Sequence, residues 1–149
     1  MASYLDLAER SWPFLNRFFG LHTAVYKLSG GRVGRKLPGV PTMLLLDHEG
    51  AKSGKRRTTP LVYFEDPPNV VIVASKGGYP KHPAWFHNLK ANPDTTVQIG
   101  TEHREVHARI ATPAERDRLW PEAVKTWAGY ADYQARTDRE IPLVVLAPR

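Results

Sequence analysis

Three short stretches of this chain carry residue types and spacings from which chemistry can be built. The first, GAKSGKRRTTP (Gly50–Pro60), sets Lys52, Lys55, Arg56 and Arg57 around Ser53-Gly54. A glycine lets such a backbone turn tightly and aim N–H groups outward, and cationic side chains beside it are partners for an anion. The same run also suits a solvated loop, because exposed loops tolerate charge. The second stretch, SKGGYPKHPAWFHNLKANP (Ser75–Pro93), ends a strand in Ser-Lys-Gly-Gly and opens a helix near Pro83. The N-terminus of that helix is available to a second anion or to the polar edge of a ring. Trp85 and Phe86 suit a core, whereas Asn88 is a polar residue among aromatics. The third, TWAGYADYQARTDR (Thr126–Arg139), repeats an aromatic ring at Trp127, Tyr130 and Tyr133. At that spacing one helical turn presents them side by side, either as a core stripe or as the wall of a pocket that uses both ring and hydroxyl.

Other chemistries fare worse. There is no cysteine, which excludes disulfides, thiolate nucleophiles, iron–sulfur clusters and cysteine-based zinc sites. Of the six histidines, His103 and His107 are four apart, the spacing of a shared metal on a helix. They lie in a strand-like run, however, where four residues span about 13 Å, too far for one ion. No HExxH and no paired carboxylates occur, so no metal is expected. Ser53 and Ser75 lack the GxSxG elbow of a serine hydrolase.

The elements that must position the three stretches are legible as patterns. The chain has 149 residues, 42% of them hydrophobic, enough for one domain with a real core. TMLLLD (Thr42–Asp47), TTPLVYFE (Thr58–Glu65) and NVVIVAS (Asn69–Ser75) read as strands, the last entered through the turn DPPN. A helix follows over Ala84–Ala91, then a hairpin of Thr95–Gly100 and His103–Ala111 across Thr101-Glu102. Thr112-Pro113-Ala114-Glu115 is a capping box that opens a helix to about Trp127. A short helix over Tyr130–Arg136 and a final strand, Pro142–Ala147, complete the series. Six strands joined mostly by short turns, with no GxGxxG and no strand–helix–strand alternation, predict an α+β fold built on an antiparallel barrel. Residues 1–40 read as an N-terminal helical segment (Tyr4–Leu28) with a Gly/Arg-rich connector (Lys27–Lys36), and 41–149 as the barrel domain. The segment is amphipathic and could pack on its own domain, on a second subunit or on a membrane surface.

The net charge of +6 implies an anionic partner. The cations cluster at one turn instead of striping a face between aromatics, which argues against nucleic acid. No run approaches the roughly 20 apolar residues of a spanning helix and no signal peptide is visible, so a cytoplasmic protein is expected, peripheral to the membrane at most.

Taken together, the three stretches resemble the deazaflavin-dependent nitroreductase family of actinobacteria, split-barrel oxidoreductases that use coenzyme F-420. The resemblance covers about Met43 to Pro148 and rests on G-x-K-S-G-x-x-R-x-x-P (Gly50–Pro60), V-A-S-K-G-G with P-x-W-x-x-N-L-K-A-N-P (Val73–Pro93), and Y-x-D-Y-Q-x-x-T-D-R-x-I-P (Tyr130–Pro142). It implies an antiparallel split barrel related to FMN-binding proteins. It implies that the phosphate and polyglutamate tail lie along Ala51, Lys52, Ser53 and Arg57, with the ring over Thr58, Thr59, Pro60, Leu61 and Val62. Val73, Ala74, Ser75 and Lys76 would line the ring from the next strand, and Ala84, Trp85, Phe86, His87 and Asn88 would cover the phosphate and ring region. Tyr130 would meet both the ring and a substrate pocket walled with Trp127 and Tyr133. Trp127 stands where relatives commonly carry tyrosine.

The activity so implied is hydride transfer from the reduced coenzyme to a quinone, an activated enone or a nitro-aromatic, with Tyr130, or Ser75 through a water, as proton donor or orienting group. Alternatives are an FMN-dependent split-barrel oxidoreductase and a non-catalytic lipid- or cofactor-binding barrel. The expected partner is a small-molecule acceptor, and the expected state a monomer or homodimer.

Overall fold

The structure is a computed structural model that describes residues 21, 23–27, 29 and 42–149. Most of the expected Tyr4–Leu28 helix and Lys27–Lys36 connector therefore lies outside the described residues. In chain order the elements are β1 (Met43–Glu49), β2 (Arg56–Asp66), β3 (Asn69–Val73), α1 (Ala84–Ala91), β4 (Asp94–Ile99), β5 (Glu102–Ile110), α2 (Pro113–Thr126), α3 (Gly129–Ala135) and β6 (Leu143–Pro148). The six strands close into an antiparallel barrel in the order β1-β2-β3-β6-β5-β4, with β4 returning to β1.

Period-two alternation makes the interior. Leu44 and Leu46, Val70 and Ile72, Val97 and Ile99, Val106 and Ala108, Val144 and Leu146 are pairs two residues apart, and together they form one buried cluster. Trp85, Phe86 and Leu89 of α1 join it. The intervening residues Val71, Val73, Leu143 and Val145 form a second cluster on the outer face, under Leu119 and Ala123 of α2 and Tyr130 of α3. β3 and β6 are thus covered on both faces, which is why NVVIV and LVVL read as continuous apolar runs. α2 starts where expected: Thr112 Oγ1 accepts from Glu115 N–H, and the Glu115 carboxylate accepts from Thr112 N–H at 3.0 Å.

Several boundaries differ from the sequence expectation by a residue or two, and three of the differences have a visible cause. The β4–β5 turn is Gly100-Thr101, one residue early, because Ile99 pairs with Glu102 and Gly100 takes φ +60°, which glycine adopts without steric cost. β2 begins at Arg56, since pairing with β1 runs on to Glu49–Arg56. β3 stops at Val73 instead of Ser75: Ala74 N–H bonds Pro142 O at 3.0 Å, and Lys76–Gly78 form a 3₁₀ turn.

Residue 21 and residues 23–27 are helical. Tyr26 is fully buried; its hydroxyl accepts from Gly100 N–H at 2.8 Å and lies 3.3 Å from Met43 O and 3.4 Å from Gln98 O. This part of the N-terminal segment packs on its own barrel. Among the described residues no helix is long and apolar enough to cross a membrane.

Candidate functional site

The basic turn joins β1 to β2 and is closed by Gly50 N–H to Lys55 O and Gly54 N–H to Gly50 O, both 2.9 Å. Ala51, Lys52, Ser53, Lys55, Arg56 and Arg57 are all exposed. Thr58 donates to the Asp47 carboxylate at 2.6 Å, and Lys27 donates to Thr58 at 2.6 Å. Asp47 also lies 3.9 Å from Arg56 and 4.0 Å from Lys27. A cavity of about 700 Å³ opens here, lined by Thr23, Ala24, Lys27, Asp47, Arg56, Arg57 and Thr58. Its walls carry three cations against one carboxylate, so it favours an anion.

A buried polar chain ties this turn to α1. Ala51 N–H donates to Asn88 Oδ1 at 2.9 Å, and Asn88 Nδ2 donates to His48 Nδ1 at 2.9 Å. An accepting Nδ1 leaves the proton on Nε2, which lies 2.8 Å from Thr59 Oγ1. His48 is held neutral: burial lowers its pKa, Arg57 lowers it further, and Asp47 opposes both. The Asn88 amide is therefore committed to the turn and to His48.

β2 is unlike the other strands of the barrel. None of its eleven residues is buried, although β1 and β3 beside it largely are. Its pairing with β3 covers only Tyr63–Asp66, because β3 ends at Val73. Residues 56–62 therefore pair with β1 alone, and the barrel is split along them. Thr58, Thr59, Pro60, Leu61 and Val62 lie on this half-covered stretch. From Val73 the chain continues through Ala74 and Ser75, both buried, to half-exposed Lys76. Burial lowers the pKa of Lys76, and Lys81 and Arg139 lower it further. On α1, Ala84 and His87 are exposed while Trp85, Phe86 and Asn88 are buried. Trp85 and Phe86 belong to the barrel core, so α1 presents a ligand with its exposed residues and its first-turn backbone, where no acidic residue stands.

At the far end of β2, Val62 and Phe64 pack against the cluster that holds Trp127, Tyr130 and Tyr133. The two tyrosine rings lie edge to face with centroids 6.2 Å apart, as their helical spacing predicts. Tyr130 is 6% exposed, and no hydrogen-bond partner reaches its hydroxyl among the described residues. Burial, and then Tyr133, pushes its pKa well above the ordinary phenol value. The phenol is thus protonated and unpaired, which is costly unless something else occupies it. From Arg57 to Val62 the strand covers about 17 Å, so it links a cationic end to an aromatic one.

Three residues at this site escaped the sequence reading. His48 had a signal: it follows Leu44 and Leu46 at period two on the inward face. Arg139 stood in the motif Y-x-D-Y-Q-x-x-T-D-R-x-I-P without a role, and Lys27 had no signal beyond its charge, since only the fold brings them to Ser75 and to β2. His103 and His107 lie exposed along β5, as expected for a strand, and His107 pairs with Asp94 at 2.6 Å.

Comparison with known proteins places this geometry in a family. Residues 18–148 match the family described as F420H(2)-dependent quinone reductase. The F420H(2)-dependent quinone reductase Rv1261c of Mycobacterium tuberculosis is 46% identical over 132 residues, which is 87% of this chain and 89% of that protein. A solved F420-H2 dependent reductase (FDR-A) is 44% identical with a TM-score of 0.65, over 70% of this chain and 92% of that one. A solved domain-swapped dimer is 38% identical with a TM-score of 0.68, over 88% and 98% of the two chains. The match of nearly the whole chain, together with a split barrel that joins a cationic turn to an aromatic wall, shows that this protein belongs to the F420H(2)-dependent quinone reductase family.

Proposed function

We propose that this oxidoreductase receives the anionic tail of reduced coenzyme F-420 at the Lys52–Arg57 turn and the ring along Thr58–Val62, facing a quinone held by Trp127, Tyr130 and Tyr133. The observation that carries the reading is the half-covered stretch of β2, a strand with no buried residue in a closed barrel, with cations at one end and towards the other a buried phenol that has no hydrogen-bond partner among the described residues. A long ligand with a flat apolar end and several negative charges matches that surface in shape and charge. When bound, the reduced coenzyme supplies a hydride to the acceptor.

The chain's own residues do the rest. Lys52, Lys55, Arg56 and Arg57, with Lys27 across the cavity, hold several negative charges where a single phosphate would need fewer, and this favours an oligoanion over FMN. The His48–Asn88–Ala51 chain keeps the turn in place against α1. Ala74 and Ser75 form the opposite bank of the split and help exclude water. Tyr130 keeps its proton at physiological pH, so it acts as a hydrogen-bond donor to an acceptor oxygen on which charge develops. Ser75, buried close to Lys76, is the second candidate for that role. Flat enones and nitro-aromatics fit the same aromatic wall. A homodimer is the assembly we propose, on the strength of the domain-swapped relative.

The test is to titrate oxidised and reduced coenzyme into the purified protein and then follow oxidation of the reduced form on adding a quinone. Binding that weakens as salt rises, followed by quinone-dependent oxidation, is the expected result. Binding that ignores salt would remove the basic turn from the site, and no oxidation with any quinone would remove the proposed activity.

A further inference from the structure

The bank of the split opposite β2 is a short irregular segment between β3 and α1. After Val73 the chain makes the single 3₁₀ turn Lys76–Gly78, closed by Gly78 N–H to Ser75 O and Tyr79 N–H to Lys76 O, at 3.0 and 3.1 Å. Lys76 sits at φ +45°, a conformation a lysine keeps only when its surroundings impose it. The carbonyls on this segment converge on one side chain. Arg139 donates from Nε to Tyr79 O at 2.9 Å, from Nη1 to Ala74 O at 3.1 Å and from Nη2 to Ser75 O at 2.7 Å. Its Nη1 also lies 3.1 Å from His82 Nδ1. Among the described residues no carboxylate pairs with this half-buried guanidinium, so its fork is spent on backbone oxygens.

Arg139 is in turn held by the helix that carries the tyrosines. Gln134 of α3 donates from Nε2 to Arg139 O at 2.8 Å and accepts at Oε1 from Ile141 N–H at 2.9 Å and Arg116 Nη2 at 3.2 Å. The two segments also meet directly. A Cβ on Gly78 would come within 2.6 Å of Tyr133 O, so the turn lies against α3 with no room for a side chain.

We infer that Arg139 is a positioning residue, which clamps the Ala74–Tyr79 segment to α3 and so holds Ser75 and Lys76 in register with Tyr130 across the split. The inference rests on the placement of the coenzyme ring proposed above. It adds that the two walls of the reaction chamber move as one body because the Arg139 guanidinium reinforces the direct packing of Gly78 on Tyr133. Lysine keeps the charge at this position but, as a point donor on a flexible stem, cannot span three carbonyls.

Two variants, Arg139→Lys and Arg139→Gln, test it with two readouts. Amide hydrogen exchange in the protein without coenzyme should accelerate about tenfold or more over residues 74–79 in both, with β4 and β5 unchanged. At saturating coenzyme and quinone, kcat should fall at least tenfold in both, while coenzyme affinity falls by about threefold or less, because the charged turn is untouched. Wild-type kcat in Arg139→Lys would overturn the inference, as would unchanged exchange over 74–79, or a loss of melting temperature with kcat per folded molecule intact. Failure of both variants to fold would assign Arg139 to the fold alone and overturn it too. If the wild-type protein itself oxidises no coenzyme, the placement of the ring is what fails, and the exchange arm still judges the clamp.

Discussion

Tyr130 is a buried phenol without a hydrogen-bond partner among the described residues, and that sets two opposite expectations for its removal. Burying an unpaired hydroxyl costs about 1–3 kcal/mol, so Tyr130→Phe should leave the melting temperature of the free protein unchanged or higher. The same change removes the proposed donor to the acceptor oxygen, and kcat with a quinone should fall about a hundredfold. A mutant that melts like the wild type and turns over like it would reduce this tyrosine to a wall. His48 supplies a pH dependence. Its folded-state pKa lies below the ordinary 6.5, so the unfolded chain binds the proton more readily. Stability from the His48–Asn88 chain is therefore complete above about pH 6.5 and is lost as pH falls from there towards the lowered value. Glu115 does not interfere, because its carboxyl is pulled down to about 2 by Arg109 and the Thr112 backbone, and its contribution is lost only below its ordinary 4.5. Melting curves between pH 7.5 and 5 should show wild type losing stability, with a shallower slope in His48→Gln. Equal slopes would assign the effect to another group, such as His82, whose pKa is lowered in the same direction.

Among the elements, α2 matters through what it covers. Leu119 and Ala123 seal the outer faces of β3 and β6, next to the Tyr130 cluster. Its start is secured by the reciprocal Thr112–Glu115 bonds and by Arg109, which donates to both Glu115 oxygens at 2.6 and 2.8 Å. Thr112→Ala should cost about 1 kcal/mol, a fall of roughly 3 °C in melting temperature for a chain of this size. Arg118→Ala breaks the exposed bidentate pair with Asp66 and should cost less, because solvent screens such pairs. The reverse order in calorimetry would mean that the cap contributes little to holding α2 on the barrel. β2 presents the opposite case. It is left half-covered because β3 turns away at Val73, and the proposed ring site on Thr58–Val62 rests on that.

For the molecule as a whole, ligand binding and stability are linked. A coenzyme that bridges the turn, the split and the aromatic wall binds only the folded chain. At a hundred times its dissociation constant it should add about 2.7 kcal/mol, which corresponds to a rise of roughly 5–10 °C in melting temperature. FMN at the same concentration should add much less, since it offers the turn fewer charges. Scanning calorimetry with each cofactor decides between them, and a larger shift with FMN would reverse the choice of coenzyme. The increment from coenzyme F-420 should also shrink as salt is raised, because the cations proposed to hold the tail are exposed.

By itself the sequence determined whatever depends on neighbours along the chain. Alternation and β-branched runs marked six strands and Thr112-Pro113-Ala114-Glu115 marked the start of α2, each within a residue or two of its final bounds, and Gly50–Pro60 held the basic turn together with the start of β2. Tyr130 and Tyr133 were legible as one helical face because residues three apart meet on any helix. Only the tertiary structure decided which strands pair beyond the hairpins, β3 with β6, β6 with β5 and β4 with β1, and so where the barrel splits. It also decided the partners of the buried polar groups: His48 meets Asn88 across 40 residues, and Arg139 reaches Ala74 across 65. A guanidinium in a short loop reads as a solvated charge until packing brings three carbonyls to it. Local patterns record which face of a strand or helix is apolar, but the choice of a distant hydrogen-bond partner is made by the close packing of the elements that carry them.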